Sequence, residues 1–223
     1  HERSDRHPAG TMTTGYPAMH DDSPPYDRPP LSLIEPNVTP YGVELYIGGM
    51  EAAGDVELLK RHGITTVVNC AVNLDINYAV KPFPDTPPGS LYGGGALRYY
   101  KIGLVDGDGN PETMMLGGFY VLRGAFAQVL PNRPTYPLRE RGNVLVNCRA
   151  GRSRSVALVG LFLHVEMPEV YPTLEAAYAH VREKRELRPD EWHETPKPML
   201  AAAAARAADS IRRHAAAQEH APA

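Results

Sequence analysis

The sequence predicts an α/β fold, in which a central mixed sheet is flanked by helices. Three patterns lead to this prediction. Residues 42–69 read as a strand, a short helix and a second strand, and residues 97–129 read as a strand followed by a long helix. Residues 144–165 then read as a strand, a tight loop and a strongly apolar helix. Strands that alternate with helices in this way usually form one sheet covered by helices.

The first strand is predicted over residues 42–48, where apolar and polar side chains alternate. Asp55 can cap the helix that follows, and Gly63 is suited to end it. Residues 64–69 form the next apolar run, which reads as a buried strand. A long connection rich in proline and glycine is expected over residues 71–96, because few of its side chains could be buried.

The next strand is predicted over residues 97–105, and Asn110 with Pro111 can start the helix after it. Later in the chain, Thr173 can cap one helix, and a last helix can start at Pro196 and continue through a run of alanines. We expect the charge-rich segment 182–188 to be solvated. The helix after Pro111 has one apolar stripe, formed by Met115, Phe119, Leu122, Phe126 and Val129.

The connection between the strand at 144–146 and the helix at 155–166 has a Cys-x5-Arg spacing. It begins with Cys148 and ends with Arg154, and its seven residues carry no large apolar side chain. A loop that leads into a helix directs several backbone N–H groups into one concavity, which suits a dianion such as phosphate. The same groups and the helix dipole favour a thiolate at Cys148. Arg154 can donate two parallel hydrogen bonds to phosphate oxygens, and Gly151 lets the backbone approach closely.

This loop resembles the signature of cysteine-dependent phosphatases, specifically the dual-specificity branch, and the resemblance covers roughly residues 40–190. It implies a dual-specificity-phosphatase-like domain with the phosphate-binding loop between a strand and a buried helix. It also implies that Cys148 attacks phosphorus, that Arg154 binds the phosphoryl group and that Ser155 helps the thiolate to leave. The stretch that carries the resemblance, whose inner residues would bind the substrate through their N–H groups, is Cys148-Arg149-Ala150-Gly151-Arg152-Ser153-Arg154-Ser155.

The sequence departs from the family at the residue before the nucleophile. The family usually has His there, whereas this chain has Asn147. An amide can still form hydrogen bonds and brace the loop, but it cannot carry the positive charge that helps to depress the pKa of a thiol. The chain could therefore be a weaker enzyme, or a pseudophosphatase that binds phosphorylated partners without turnover.

A general acid is expected just after the strand at 97–105, where the family has it. A carboxylic acid is needed because an alkoxide or phenoxide leaves poorly without a proton. Asp106 is our choice, since the stretch Ile102-Gly103-Leu104-Val105-Asp106 matches the family's usual setting, and Asp108 is the alternative. Either residue could instead belong to a turn, because Asp is common in glycine-rich turns.

These residues predict a metal-free phosphomonoester hydrolase that acts through a phosphocysteine intermediate and needs no cofactor. No spacing of His, Cys or carboxylate residues suggests a metal site. The substrate stays open between a phosphorylated protein, which is our first choice, and a phospholipid. Arg149 and Arg152 make the loop resemble those of phosphoinositide 3-phosphatases and mitochondrial phosphatidylglycerophosphate phosphatases. Both side chains could equally point outward and pair with nearby acidic residues.

Cys70 ends the predicted strand at 64–69, just as Cys148 ends the strand at 144–147. The resemblance gives it a redox role, because some phosphoinositide 3-phosphatases have a cysteine at this strand end that can form a disulfide with the nucleophile. Cys70 would then trap an oxidised Cys148 reversibly. The alternative is a small buried hydrophobic residue, since cysteine is often fully buried.

Composition limits the partners and suggests the compartment. The chain has 223 residues, a hydrophobic fraction of 43% and a net charge of −3. This charge provides no general attraction to nucleic acid, and no apolar run is long enough to span a membrane. Two cysteines favour a reducing environment, so we expect a cytoplasmic protein, and its oligomeric state is not predicted. Three regions are expected, namely a flexible Pro-rich arm at 1–30, a catalytic domain at 31–190 and an Ala-rich helical extension at 191–223.

Overall fold

The computed structural model describes residues 28–136 and 138–220. Most of the predicted Pro-rich arm, residues 1–27, therefore lies outside the described residues. Within the described ranges, no helix combines the length and the apolar character that a membrane span requires. The same ranges contain no group of three or more His, Cys, Asp or Glu side chains that could hold a metal ion.

A five-stranded mixed sheet forms the centre of the fold, with a separate two-stranded hairpin beside it. In chain order the strands are β1 (Leu31–Val38), β2 (Val43–Gly48), β3 (Ile64–Ala71), β4 (Ala79–Pro82), β5 (Gly93–Gly95), β6 (Arg98–Leu104) and β7 (Asn143–Asn147). The central sheet has the order β1-β2-β7-β3-β6, and β4 pairs with β5 in the hairpin. Only β1 runs antiparallel to its neighbour in the central sheet, so the other four strands end at one common edge.

Helices cover both faces of this sheet. In chain order they are α1 (Met50–Gly54), α2 (Val56–Arg61), α3 (Met114–Ala127), α4 (Arg154–Glu166), α5 (Leu174–Lys184) and α6 (Pro198–Glu219), with a 3-10 helix at Pro189–Glu194. The first two helices pack on one face, in a small core that includes Leu59 and Leu145. The other four pack on the opposite face, in a larger core that includes Val144 and Val146. Successive side chains of β7 thus alternate between the two cores, as expected of a central strand.

Helix α4 is the most buried helix, because the sheet lies on one side of it and three other helices surround the rest. Its first ten residues are all buried. Gly160 allows the ring of Tyr178 in α5 to approach closely, since a Cβ atom at this position would lie 2.3 Å from a ring carbon. The start of α4, where the Cys-x5-Arg loop ends, is therefore fixed rigidly against the core.

The predicted fold class is confirmed, with differences in single elements. Strand β1 was not predicted, because it contains Pro36 and its buried and exposed residues do not alternate regularly. It pairs with β2 through two irregularities in register. The expected loop 71–96 contains the hairpin of β4 and β5. Helix α3 begins at Met114, with Thr113 as its N-cap residue, rather than at Pro111 with Asn110 as the cap. The expectation that segment 182–188 is solvated is correct for Glu183, Lys184 and Glu186, which are exposed, and wrong for Arg182 and Arg185, which are buried.

Candidate active site

The Cys-x5-Arg loop lies at the common edge of the four parallel strands, between β7 and α4. Gly151 has φ +67°, and a Cβ atom there would lie 2.7 Å from the carbonyl oxygen of Gly48, so the site requires glycine. The N–H of Met50 donates to the carbonyl of Arg149 at 2.7 Å. The loop is thus held against the end of β2 and the start of α1.

Arg185 holds the loop from the opposite side of its backbone. This side chain of α5's C-terminal end is only 2% exposed. Its Nε donates to the carbonyl of Gly151 at 3.1 Å, and its Nη2 donates to the carbonyl of Ala150 at 3.4 Å. Because N–H and C=O point in opposite directions in a trans peptide, the N–H groups that follow these carbonyls turn into the loop. One of them, the N–H of Arg152, donates to the sulfur of Cys148.

Cys148 lies at the bottom of this concavity and is 3% exposed. Its Sγ lies 3.3 Å from the hydroxyl oxygen of Ser155. Burial acts to raise the pKa of the thiol, but the Arg154 guanidinium, the hydroxyl and N–H of Ser155 and the N–H of Arg152 outweigh it. The net result is a pKa below the usual range of a thiol, so the site favours the thiolate, which is the nucleophilic form.

Asn147 is fully buried behind the nucleophile. Its Nδ2 donates to the carbonyl oxygen of Cys148 at 3.2 Å. Its Oδ1 is buried and accepts no hydrogen bond from any described residue. The amide therefore braces the backbone at the start of the loop, as the sequence suggested, and adds no charge to the site.

Arg154 is buried and is positioned by the ends of two other strands. Its Nη1 donates to Oδ1 of Asn73, just after β3, at 2.9 Å and to the carbonyl of Leu104, at the end of β6, at 3.1 Å. Its Nε is buried and has no hydrogen-bond partner among the described residues. No carboxylate of the described part lies within 4.0 Å of the guanidinium. Its charge is therefore directed at the thiolate or at a bound anion.

Asp106 follows β6 and is joined to a residue that the sequence did not suggest. The Nζ of Lys197, just before α6, lies 3.2 Å from Oδ2 of Asp106 and donates to its carbonyl oxygen at 2.9 Å. The other carboxyl oxygen, Oδ1, is buried and has no partner among the described residues. Asn110 closes the turn through two hydrogen bonds to the backbone of Val105, of 2.8 and 2.9 Å. Asn110 thus shapes this loop instead of capping α3.

Asp108 lies two residues further along the same loop and is exposed. It lines a cavity of about 110 Å³ between the loop and α6, together with Met199 and Arg206. Asp106, in contrast, contacts Lys197, whose backbone N–H donates to Ser153 of the Cys-x5-Arg loop. This contact links Asp106 to the phosphate loop through one residue.

The side chain of Arg152 points away from the concavity, into ion pairs with the 3-10 helix. Its Nη2 lies 3.1 Å from Oε1 of Glu191 and 3.1 Å from Oε1 of Glu194. The residue is 8% exposed, so this charge is both buried and paired. Of the two readings of this basic residue, the one that pairs it with nearby acidic residues is confirmed. Its contribution to the loop is the N–H that contacts Cys148.

Cys70 lies beside the nucleophile. Asn69 and Asn147 are partners across the parallel strands β3 and β7, so Cys70, near the end of β3, and Cys148, just after β7, lie at the same level of the sheet. Cys70 is completely buried, and both cysteines are free thiols. Burial and the neighbouring Cys148 raise the pKa of Cys70, although Arg154 opposes this. One thiol with a lowered pKa and one with a raised pKa thus occupy the same edge of the core.

We expect alkylation of Cys148 to persist below the usual pKa of a thiol, because only the thiolate reacts and the pKa of this thiol is lowered. Ser155→Ala removes a hydrogen-bond donor from the sulfur and should move the midpoint of the rate–pH profile upward. The measurement is the rate of reaction with iodoacetamide as a function of pH. Both proteins also carry Cys70→Ser, so that Cys148 is the only thiol that reacts. An unchanged midpoint in Ser155→Ala would mean that the hydroxyl makes no contribution.

Comparison with solved structures finds similar chains among the dual specificity phosphatases. The chain is similar to a variant of human DUSP28, with TM-score 0.54 and 20% identity over 83% of this chain and 99% of that one. It is also similar to the human tyrosine phosphatase-like serine/threonine/tyrosine-interacting protein, with TM-score 0.51 and 20% identity over 82% and 97% of the chains. No protein-family model matches the chain, and no curated protein matches it by sequence. The chain thus has the fold of the dual-specificity phosphatases.

Proposed function

We propose that this protein is a metal-free phosphomonoester hydrolase that acts through a phosphocysteine intermediate, as a dual-specificity-type protein phosphatase. The observation that carries the proposal is the environment of Cys148. One guanidinium, one hydroxyl and two backbone N–H groups converge on its sulfur and lower its pKa despite burial. Such a thiolate is a nucleophile, and the groups that stabilise it are also the groups that bind a phosphoryl dianion.

In the first step the thiolate of Cys148 attacks phosphorus, and the bond from phosphorus to the leaving oxygen breaks. The loop N–H groups and Arg154 stabilise the negative charge on the equatorial oxygens. Asp106 in its protonated form gives its proton to the leaving oxygen. The unpartnered Oδ1 of Asp106 is the oxygen that can carry this proton, because Oδ2 faces the ammonium group of Lys197.

In the second step water attacks phosphorus, and the bond between phosphorus and sulfur breaks. The carboxylate of Asp106 takes a proton from this water, so the acid of the first step is restored. Ser155 donates its hydroxyl hydrogen bond to the departing sulfur, from an oxygen that lies 3.3 Å away. The products are free phosphate and the thiolate with which the cycle began.

A protein substrate is favoured over a phospholipid by the ion pairs of Arg152. Arg152 is buried in ion pairs with Glu191 and Glu194, so its side chain would have to break them to bind a second phosphate group. A headgroup with several phosphates would gain little from it. A phospholipid phosphatase is therefore the alternative that a substrate screen has to test, with phosphopeptides, phosphoinositides and phosphatidylglycerophosphate compared directly.

Binding without turnover is the second candidate function. Two observations favour it, namely the neutral Asn147 behind the nucleophile and the similarity to the tyrosine phosphatase-like interacting protein. The low pKa of Cys148 favours the enzyme instead, since a protein that only binds phosphorylated partners has no need of a thiolate. Release of phosphate from an activated aryl phosphate distinguishes the two candidates.

Cys148→Ser should abolish turnover while vanadate still binds, because the loop N–H groups and Arg154 remain. Arg154→Lys should lower kcat/KM by about a hundredfold or more, since an ammonium group cannot make the planar two-bond contact. Phosphate release measures turnover in both variants, and vanadate titration without chelator measures binding. Added EDTA should leave phosphate release by the wild type unchanged. Turnover by Cys148→Ser at near the wild-type rate would refute the mechanism.

Asp106→Asn should slow the hydrolysis of phenyl phosphate about a hundredfold. It should slow the hydrolysis of an activated aryl phosphate far less, because only the poor leaving group needs a proton. Asp108→Asn is the matched control in the same loop and should leave both rates close to wild type. The comparison is kcat/KM for the two substrates in each variant. A leaving-group dependence confined to Asp108→Asn would reverse the assignment.

For Cys70 we propose the role of a resolving cysteine. Peroxide converts the thiolate of Cys148 to a sulfenic acid, and the thiol of Cys70 then attacks that sulfur and displaces water, which leaves a disulfide. Wild type should recover activity with dithiothreitol, whereas Cys70→Ser should lose it irreversibly at the same peroxide dose. Peptide mass spectrometry should find Cys70 linked to Cys148. Equal recovery of both proteins and no linked peptide would leave Cys70 as a core residue.

A further inference from the structure

Lys197 connects the two loops of the candidate site, although it lies beyond residues 40–190, over which the sequence resembles the phosphatases. Its backbone N–H donates to the hydroxyl oxygen of Ser153, in the phosphate loop, at 3.2 Å. Its Nζ donates to the carbonyl oxygen of Asp106 at 2.9 Å and lies 3.2 Å from the Oδ2 of the same residue. One residue therefore touches both the loop that holds the phosphoryl group and the loop that holds the general acid.

The chemistry of an ammonium group makes this contact directional. Lysine has three N–H donors and no acceptor, so the carboxyl oxygen that faces it must act as an acceptor. When Asp106 is protonated, a proton on Oδ2 cannot point toward Nζ, so the contact favours the proton on Oδ1. That oxygen is buried and has no hydrogen-bond partner among the described residues, so its hydrogen-bonding capacity is left for a leaving group or a water molecule that reaches it.

We propose that Lys197 is a positioning residue for Asp106, which selects the carboxyl oxygen that transfers the proton and holds the acid loop beside the phosphate loop. This inference rests on the proposed function. It gives the segment before α6 a part in the reaction, because Lys197 contacts both Asp106 and Ser153. Lys197 acts on the substrate through Asp106 in both steps of the reaction.

A second ionic contact joins α6 to the same loop and provides a matched control. The Nε of Arg206 lies 3.3 Å from Oε1 of Glu112, across the cavity of about 110 Å³. The side chains of this pair are 52% and 74% exposed, whereas those of Lys197 and Asp106 are 35% and 36% exposed. Solvent weakens the first pair more, and it does not touch Asp106. Arg206→Met therefore removes an ion pair with the acid loop without altering the carboxyl group.

The design of the lysine variant follows from its two kinds of contact. Lys197→Met keeps the backbone N–H that donates to Ser153, and it keeps most of the length of the side chain. It removes only the ammonium group and its two contacts with Asp106. Lys197→Arg keeps the positive charge and the donors, so it should restore much of the effect.

The test measures kcat/KM with phenyl phosphate and with 4-nitrophenyl phosphate. Lys197→Met should lose about tenfold or more with phenyl phosphate and less than about threefold with 4-nitrophenyl phosphate, because only the first needs a well-placed proton. Lys197→Arg and Arg206→Met should both stay close to wild type. In an Asp106→Asn background, Lys197→Met should cause no further loss, since it acts through the group already removed.

Other outcomes separate this inference from the proposed function. An equal loss with both substrates, or a loss that adds fully to that of Asp106→Asn, would mean that Lys197 only supports the fold, and would overturn the inference alone. The same conclusion would follow if Arg206→Met reproduced the leaving-group dependence. If wild type hydrolysed neither substrate, the proposed function would fail first and the inference with it.

Discussion

The buried guanidinium of Arg185 is the constraint on which the geometry of the candidate site depends. It donates hydrogen bonds to the carbonyl oxygens of Ala150 and Gly151, and its Nη1 also donates to the hydroxyl oxygen of Ser32 at 3.0 Å. Peptide groups held in this way cannot rotate, so the N–H groups on the other side of the loop stay directed at the sulfur of Cys148. Removing one member of such a buried network would leave the remaining polar groups without partners, which costs more than the hydrogen bonds themselves contribute.

Neutral amides occupy two positions beside Cys148 and Arg154 where a charged side chain would alter the electrostatic interaction between the thiolate and the guanidinium. Asn147 braces the carbonyl of Cys148, and Asn73 accepts a hydrogen bond from Arg154. A carboxylate in place of Asn73 would compete for the guanidinium, and a cationic side chain in place of Asn147 would add to it. With two amides, the thiolate and Arg154 are left as each other's main electrostatic partners. The site therefore depends on this one pair more than on any surrounding charge.

The sequence predicted the parts of the site that are local in the chain. The phosphate loop lies within eight residues, and the strand before it and the helix after it have clear apolar patterns. The position of Asp106 at the end of a strand was likewise visible, because parallel strands end at one edge of a sheet. Cys70 could be expected beside Cys148 for the same reason, and Asn69 is indeed paired with Asn147.

The residues that position these groups come from far along the chain, and no local pattern marks them. Asn73 is 81 residues from Arg154, Lys197 is 44 residues from Ser153, and Arg185 is 34 residues from Gly151. Arg185 lies in a segment whose charge suggested solvent exposure, since composition alone cannot distinguish a buried arginine with carbonyl partners from a solvated one. Only the packing of α5 on α4 brings it beneath the loop.

The depressed pKa of Cys148 also has a thermodynamic meaning for the whole fold. A group that loses its proton more easily in the native state than in the unfolded chain links folding to proton release. The contribution to stability is complete above the pKa of an unfolded thiol, and it disappears as the pH falls through the lower value of the native protein. Acid therefore removes the reactive thiolate and a share of the folding free energy together. The same ion pair that makes the sulfur a nucleophile makes this protein more tolerant of alkaline conditions than of acidic ones at that site.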